Sequence, residues 1–202
     1  MTSSSESPPV GRAPSARWVH ERVWTVSAST SAAKVRGTSQ SSPSDRGGPT
    51  CYGVTEAVAR ANGYKGPMQD LPRSFAFNLY VDRYFRKPGF DKVAEVSQKI
   101  AAELTDTAVN CGPGLPPIWL QEWLNGFNLL GRDYPDLTVD GAIGPMTISA
   151  LRAFLAKRGA EGERVMLTAL NCSQGARYLD LTQRREKNED FLFGWVRDRV
   201  MN

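Results

Sequence analysis

The sequence predicts an all-α fold with at most one small β-hairpin. Beyond residue 55, apolar residues recur at spacings of three and four, which is the pattern of a helix with one buried face. These segments end at proline and glycine clusters, which are typical of breaks between helices. Only residues 137–143, with a tight turn at Asp140-Gly141, carry the pattern of a small hairpin among these segments.

The amino-terminal quarter is the least regular part of the chain. Residues 1–17 are rich in Ser and Pro and poor in large apolar residues, so we predict a disordered or loosely packed segment. Residues 16–24 have apolar spacing compatible with a short helix. Residues 25–44 are again rich in Ser, Thr and Ala, which is typical of a loop. A segment of this length is long for a structureless loop in a compact domain.

A glycine-dense turn at residues 45–55 leads directly into a predicted helix at 55–63. Thr55 is a suitable N-cap because its hydroxyl can accept a hydrogen bond from the first helical turn. Glu56 lies where the helix dipole favours a carboxylate, and Gly63 is a suitable residue to end the helix.

The remaining helices follow from the same periodicity. Pro145 fits the first position of a helix, where its missing N–H has no cost. Residues 112–117, with three prolines, are predicted to break the chain between two helices. The predicted helices run from Asp70-Leu71-Pro72 to the break at Pro88-Gly89, and over 90–110, 118–130, 145–158, 161–186 and 189–200.

Composition indicates a globular protein with a mildly basic surface. Apolar residues make up 41% of the 202 residues and charged residues 23%, and the formal net charge is +4. A basic surface favours anionic polymers such as acidic cell wall. The sequence contains no long Lys/Arg run and no recognised nucleic-acid motif, so we do not expect nucleic acid as a partner.

The three cysteines, Cys51, Cys111 and Cys172, are far apart and predict neither a zinc site nor a disulfide framework. Free thiols in a reducing compartment are expected. No segment has the pattern of a signal peptide or of a membrane-spanning helix. We therefore expect synthesis in the cytoplasm and no membrane insertion. If the chain acts on cell wall, another factor must release it.

Several motifs occur in the order of a known family. The glycine-dense turn reads Asp45-Arg46-Gly47-Gly48-Pro49-Thr50-Cys51-Tyr52-Gly53-Val54-Thr55. It resembles the Asp-x-Gly-Gly-x-Thr-x-x-Gly-[Ile/Val]-Thr turn of the glycoside hydrolase 108 type of phage lysins and secretion activators. Leu104 to Gly112 is similar to that family's central Phe-Asp-x-Ala-Val-Asn-x-Gly helix end. Trp119-Leu120-Gln121, Val139 to Thr147 and Phe193 to Arg197 resemble its carboxy-terminal peptidoglycan-binding segment.

The resemblance covers residues 45–200 and implies a lysozyme-like helical fold with N-acetylmuramidase activity. On that basis we divide the chain into the loose segment 1–17, a catalytic lobe at 18–112 and a helical lobe at 113–202 that resembles a peptidoglycan-binding segment. We expect the two lobes to pack as one unit. The implied partner is bacterial peptidoglycan, no metal or organic cofactor is implied, and a monomer is expected.

Hydrolysis of a β-1,4 glycosidic bond needs a protonated carboxyl group beside the leaving oxygen. In the family this acid is the Glu that ends the first helix. Glu21 matches if His20 to Thr25 corresponds to Glu-Gly-Gly-aromatic-Ser, with an insertion of about fifteen residues before Asp45. An alignment without a gap places Arg36 at the position of the acid instead, and arginine cannot donate a proton near neutral pH. This second alignment predicts a non-catalytic binding protein or pseudoenzyme of the same fold.

The other candidate site residues are assigned to substrate binding. Asp45 could support the reaction or accept a sugar hydroxyl, although capping its own turn is an equal possibility. Thr50 and Tyr52 could line the cleft, or bond backbone and pack in the core. Asp106 and Asn110 lie four residues apart on one helix face, and either reach the cleft or tie the helix to the glycine turn. We expect core packing for Trp119, Trp123 and Trp195 rather than sugar stacking.

Taken together, the resemblance implies a lysozyme-type peptidoglycan hydrolase that cleaves between N-acetylmuramic acid and N-acetylglucosamine and serves as a phage endolysin.

Overall fold

A computed structural model describes residues 49–201. The described residues fall into two compact units, residues 49–87 and residues 88–201. Helices dominate both units, and the only strands among these residues form one two-stranded antiparallel hairpin. The mainly α-helical fold with a small hairpin is therefore confirmed. The predicted loose segment 1–17, the predicted helix 16–24 and the first part of the glycine turn lie outside the described residues.

The first unit begins with the hairpin. Strands β1 (Thr50–Cys51) and β2 (Val54–Thr55) pair through a two-residue turn at Tyr52-Gly53. Both turn residues have positive φ, 48° for Tyr52 and 75° for Gly53, which is the conformation that matches the twist of tight hairpins. Glycine adopts this conformation at little cost, so Gly53 closes the turn. The sequence prediction placed the small hairpin at 137–143, where the structure has a turn and no strand.

The hairpin leads into helix α1 (Glu56–Ala61). The Thr55 hydroxyl accepts a hydrogen bond from the Val58 N–H at 3.4 Å, so the predicted N-cap is confirmed. After a short 3₁₀ turn at Met68–Asp70, helix α2 (Arg73–Val81) follows and ends in a wider turn at Asp82–Arg86. The core of this unit is a cluster of small and aliphatic side chains contributed by the hairpin and these helices: Cys51, Val54, Ala59, Met68, Leu71 and Ala76.

The second unit opens with two helices where the sequence predicted one. Helix α3 (Phe90–Ala94) and helix α4 (Gln98–Cys111) are separated at Ser97, whose backbone is extended. The Ser97 hydroxyl accepts the Ile100 N–H at 3.1 Å, so it caps α4. The apolar spacing continues through this break because both helices bury residues in the same core, which is why periodicity alone did not reveal it.

Helix α5 (Leu115–Phe127) begins three residues earlier than predicted. Pro116 and Pro117 do not break the chain here, because the first turn of a helix has no intrahelical acceptor for their missing N–H groups. Both prolines are buried.

The long helix α6 (Pro145–Arg184) begins at Pro145, as predicted. It is interrupted at Gly159, whose φ of 59° and ψ of −145° are not helical. A residue other than glycine would rarely adopt this conformation, so Gly159 sets the angle between the two halves. The predicted division into helices at 145–158 and 161–186 is thus confirmed, with the second half ending at Arg184.

The chain ends with a 3₁₀ turn at Glu186–Asn188, helix α7 (Glu189–Trp195) and a wider turn at Val196–Val200. Helix α6 packs against α4, α5 and this carboxy-terminal segment. The core of the second unit consists of large side chains that are almost fully buried: Phe90, Ile100, Leu104, Leu120, Leu124, Leu151, Phe154, Met166 and Leu170.

Candidate functional site

Two of the predicted site residues lie in the hairpin. Thr50 is half-buried in β1 and its backbone pairs with Thr55. Tyr52 is half-buried at the turn and its ring packs against the core cluster of the first unit. The positive φ of Tyr52 fixes the direction in which the ring leaves the backbone. Both side chains keep part of their surface in solvent.

Helix α4 carries two further candidates, Asp106 and Asn110. The Asn110 amide donates to the Asp106 backbone oxygen at 2.8 Å and to the Asp106 carboxylate at 3.1 Å. The two side chains therefore share one helix face, as the spacing predicted. The Asp106 carboxylate is thus held in part by a hydrogen bond from its own helix.

The same carboxylate forms an ion pair with a distant part of the chain. Arg199, in the last turn of the chain, donates to Asp106 Oδ1 at 2.5 Å, although 93 positions separate the two residues. The side chains are 8% exposed for Arg199 and 18% for Asp106, so water screens this pair only weakly. Gln174 of α6 donates to the other oxygen, Asp106 Oδ2, at 3.5 Å. The described partners of Asp106 outside α4 thus belong to the carboxy-terminal half of the chain.

We refer to Glu103, Asp106, Asn110, Gln174 and Arg199 as the α4 polar cluster. Gln174 is fully buried, and its carbonyl oxygen has no hydrogen-bond partner among the described residues, although its amide nitrogen donates to Asp106. Burial raises the pKa of Asp106 above its usual range, although Arg199, Gln174 and Asn110 all act in the opposite direction. The cluster concentrates charged and polar groups that are costly to remove from water.

Glu103 was missed by the sequence analysis. It is half-buried one helical turn before Asp106, and the Thr107 hydroxyl lies 3.4 Å from its carboxylate. Burial, together with the negative charge of Asp106, raises the pKa of Glu103 from 4.5 to about 7. Its spacing of three from Asp106 was the available signal, because residues at i and i+3 share a helix face.

Replacing Glu103 with Gln is expected to stabilise the protein at pH 8 and to change little at pH 4.5. In the unfolded chain Glu103 ionises near its ordinary pKa of 4.5, whereas in the folded protein it keeps its proton until about pH 7. Between these values the folded state loses stability as the pH rises, by up to about 3 kcal/mol above pH 7. Urea unfolding of wild type and Glu103→Gln at both pH values measures the difference. Glu95→Gln, at an exposed position of the same unit, is the control, and an equal effect of Glu103→Gln at both pH values would contradict the prediction.

Glu21 and Asp45, the predicted acid and its supporting carboxylate, lie outside the described residues. Within residues 49–201, no group of three or more His, Cys, Asp and Glu side chains is arranged to hold a metal ion. The same part of the chain contains no helix that is long and apolar enough to cross a membrane. The three cysteines are free thiols, and burial raises the pKa of Cys111 to about 11.

The Asp140-Gly141 turn is held by a single buried side chain, Gln121. Its amide nitrogen donates to Asp140 Oδ1 at 2.9 Å and to the Ala142 carbonyl at 3.1 Å, and its carbonyl oxygen accepts the Gly141 N–H at 2.8 Å. Gln121 is only 1% exposed, so the hydrogen bonds compensate for its burial. This turn therefore has a structural role that connects α5 to the start of α6.

The three tryptophans within residues 49–201 are partly buried. The Trp123 ring stacks on Phe127 with 5.6 Å between centroids, and its indole N–H donates to Ser173 at 2.9 Å. The Trp195 ring lies 5.2 Å from Tyr178. Trp119 is half-buried in α5. The packing of Trp123 and Trp195 agrees with the expected core role.

Comparison with family models gives two adjacent matches. Residues 31–112 match the family described as Glycosyl hydrolase 108, and residues 116–200 match the family described as Predicted Peptidoglycan domain. No curated protein matches the chain. The first match includes Thr50, Tyr52, Asp106 and Asn110, whereas Glu21 precedes it.

Proposed function

From the two adjacent family matches we propose that the chain is a glycosyl hydrolase of the 108 type followed by a peptidoglycan domain, and that it serves as a phage endolysin. The first match makes the chain a peptidoglycan hydrolase of the lysozyme type, with N-acetylmuramidase activity. The observation that carries the proposal is the presence of both family segments, in this order, in one chain. A hydrolytic segment joined to a wall-binding segment keeps the enzyme on an insoluble substrate.

In this proposal Glu21 is the general acid. Its carboxyl proton goes to the glycosidic oxygen as the bond to N-acetylmuramic acid breaks, and a water molecule completes the new reducing end. Asp45, Thr50, Tyr52 and Asn110 are the proposed substrate-binding residues. Asp106, which the sequence analysis also assigned to substrate binding, is proposed to position α4 instead, because its Oδ1 accepts from Arg199 and its Oδ2 from Asn110 and Gln174.

The proposal also includes the cellular location and the oligomeric state of the protein. It is made in the host cytoplasm, acts on the cell wall after release by another factor, and works as a monomer. The formal charge of +4 supports attraction to a wall that carries acidic groups.

Analysis of the products released from purified sacculi tests the function. We expect soluble fragments that end in reducing N-acetylmuramic acid, which borohydride converts to muramitol. Reducing N-acetylglucosamine would indicate a glucosaminidase, and new free amino groups would indicate cleavage of the peptide. Retention of the chain on sacculi without any release of reducing ends would identify the non-catalytic binding protein of the same fold.

A further inference from the structure

The corner between α6 and α7 contains an open surface pocket of about 580 Å³. Its lining comprises Arg185, Glu186, Lys187, Asn188 and Phe191, and we call it the 185–191 pocket. The pocket lies within the match to the peptidoglycan domain. It is separate from the α4 polar cluster, with which it shares no residue.

Helix α7 presents aromatic side chains to solvent. None of its seven residues is buried, and Phe191 and Phe193 are 56% and 78% exposed. The Phe191 ring stacks on Trp195 with 6.0 Å between centroids, and Trp195 in turn packs against the buried Tyr178. Phe191 is therefore an exposed ring on a rigid base, which suits stacking against the apolar face of a sugar.

The polar part of the pocket is cationic. Arg185 and Lys187 are exposed, and neither side chain forms an ion pair with any residue in the range 49–201. Glu186 is the single carboxylate among the lining residues. The Asn188 amide donates to the Leu181 carbonyl at 2.8 Å, which fixes its orientation and directs its own oxygen away from that bond. The pocket thus combines two exposed cations that form no ion pair within residues 49–201, one carboxylate, one fixed amide and one exposed ring.

Peptidoglycan carries a sugar ring and carboxylates close together, which match the exposed ring and the cations of the 185–191 pocket. Each N-acetylmuramic acid carries a peptide with free carboxylates next to a sugar ring. We propose that the 185–191 pocket binds this junction, with the sugar ring on Phe191 and a peptide carboxylate on Arg185 and Lys187. This inference rests on the proposed function, in which peptidoglycan is the partner. It identifies which part of the carboxy-terminal segment contacts the peptidoglycan.

Retention on purified sacculi at 4 °C tests the pocket. The double variant Arg185→Ser/Lys187→Ser is expected to weaken binding roughly fivefold or more at low salt, because two charge contacts to the wall are lost. The difference from wild type is expected to shrink in 0.5 M NaCl, where charge contacts are screened. Phe191→Ala is expected to weaken binding at both salt concentrations.

Matched controls are available in the same unit. Arg152→Ser/Arg164→Ser removes two exposed cations that do not line the pocket, and Met146→Ala removes an exposed apolar side chain, 59% exposed, from the start of α6. Circular dichroism melting of each variant shows whether its fold is retained, which matters most for Phe191→Ala. The Arg185→Ser/Lys187→Ser variant changes only exposed side chains and therefore tests the pocket without altering packing. Equal retention of pocket variants, controls and wild type would overturn the inference while leaving the hydrolase intact. Failure of wild type to bind sacculi at all would instead count against the proposed function.

Discussion

Glu21→Gln is expected to lower the rate of wall clearing by at least about 100-fold, the contribution typical of a general acid. Glutamine has nearly the same shape but no proton to give to the leaving oxygen, so binding should persist while bond cleavage fails. Turbidity loss and reducing-end release from purified sacculi measure the rate, and retention on sacculi measures binding. Glu122→Gln, at an exposed position of α5, is the control for loss of one carboxylate.

The same assay separates the two alignments of the amino-terminal region. The match to Glycosyl hydrolase 108 begins at residue 31, so Arg36 lies within it and Glu21 does not. If Glu21→Gln clears wall as fast as wild type, Glu21 is not the acid. Glu103→Gln should then be tested as the next candidate, because Glu103 is a half-buried carboxyl group whose pKa is about 7. Loss of clearing in Glu103→Gln but not in Glu21→Gln would transfer the role to helix α4.

Arg199→Leu is expected to destabilise the second unit by about 3–5 kcal/mol, because it leaves the Asp106 carboxylate buried without its cation. The ion pair itself need not contribute a large net free energy, since both groups lose hydration on burial. The cost arises when one partner is removed and the other stays. Urea unfolding followed by tryptophan fluorescence measures the change, with Trp195 four positions from the substituted residue.

The double variant Asp106→Asn/Arg199→Leu provides the internal control. Without a buried charge on either side, it is expected to recover much of the stability lost in Arg199→Leu. Arg152→Leu, at an exposed position of α6, should change stability by no more than about 0.5 kcal/mol. An equal loss in the single and double variants would show that Asp106 does not depend on Arg199.

Local chemistry made much of the helical framework predictable. Thr55 caps α1 and Pro145 opens α6 because these residues act through their own backbone and immediate neighbours. Gly159 interrupts α6 through its own backbone conformation, so this break is also a local effect. The prediction of one helix over residues 90–110 was wrong. Ser97 separates two helices, and because both bury residues in the same core, the apolar spacing continues across the break. Pro116 and Pro117 were predicted to break the chain, but they lie in the first turn of α5, where proline is tolerated. The effect of a proline depends on which turn of the helix it occupies.

The site was predictable to a lesser degree. The shared helix face of Asp106 and Asn110 followed from helix geometry, whereas the assignment of Thr50 and Tyr52 to substrate binding comes from the motif around the glycine turn and stays a prediction. The roles of Glu21 and Asp45 remain predictions. The raised pKa of Glu103 could not be foreseen, because it depends on burial, and burial is a property of the assembled helices.

By itself, the sequence determined the helical class, most helix ends and the motifs that match the two family models, since each depends on residues that are close in the chain. Only the tertiary structure decided that Arg199 neutralises Asp106 across 93 positions, that Gln121 holds the Asp140-Gly141 turn, and that Phe191 stays exposed beside two cations. These are contacts between distant segments, and their energies depend on how much water the packed helices exclude.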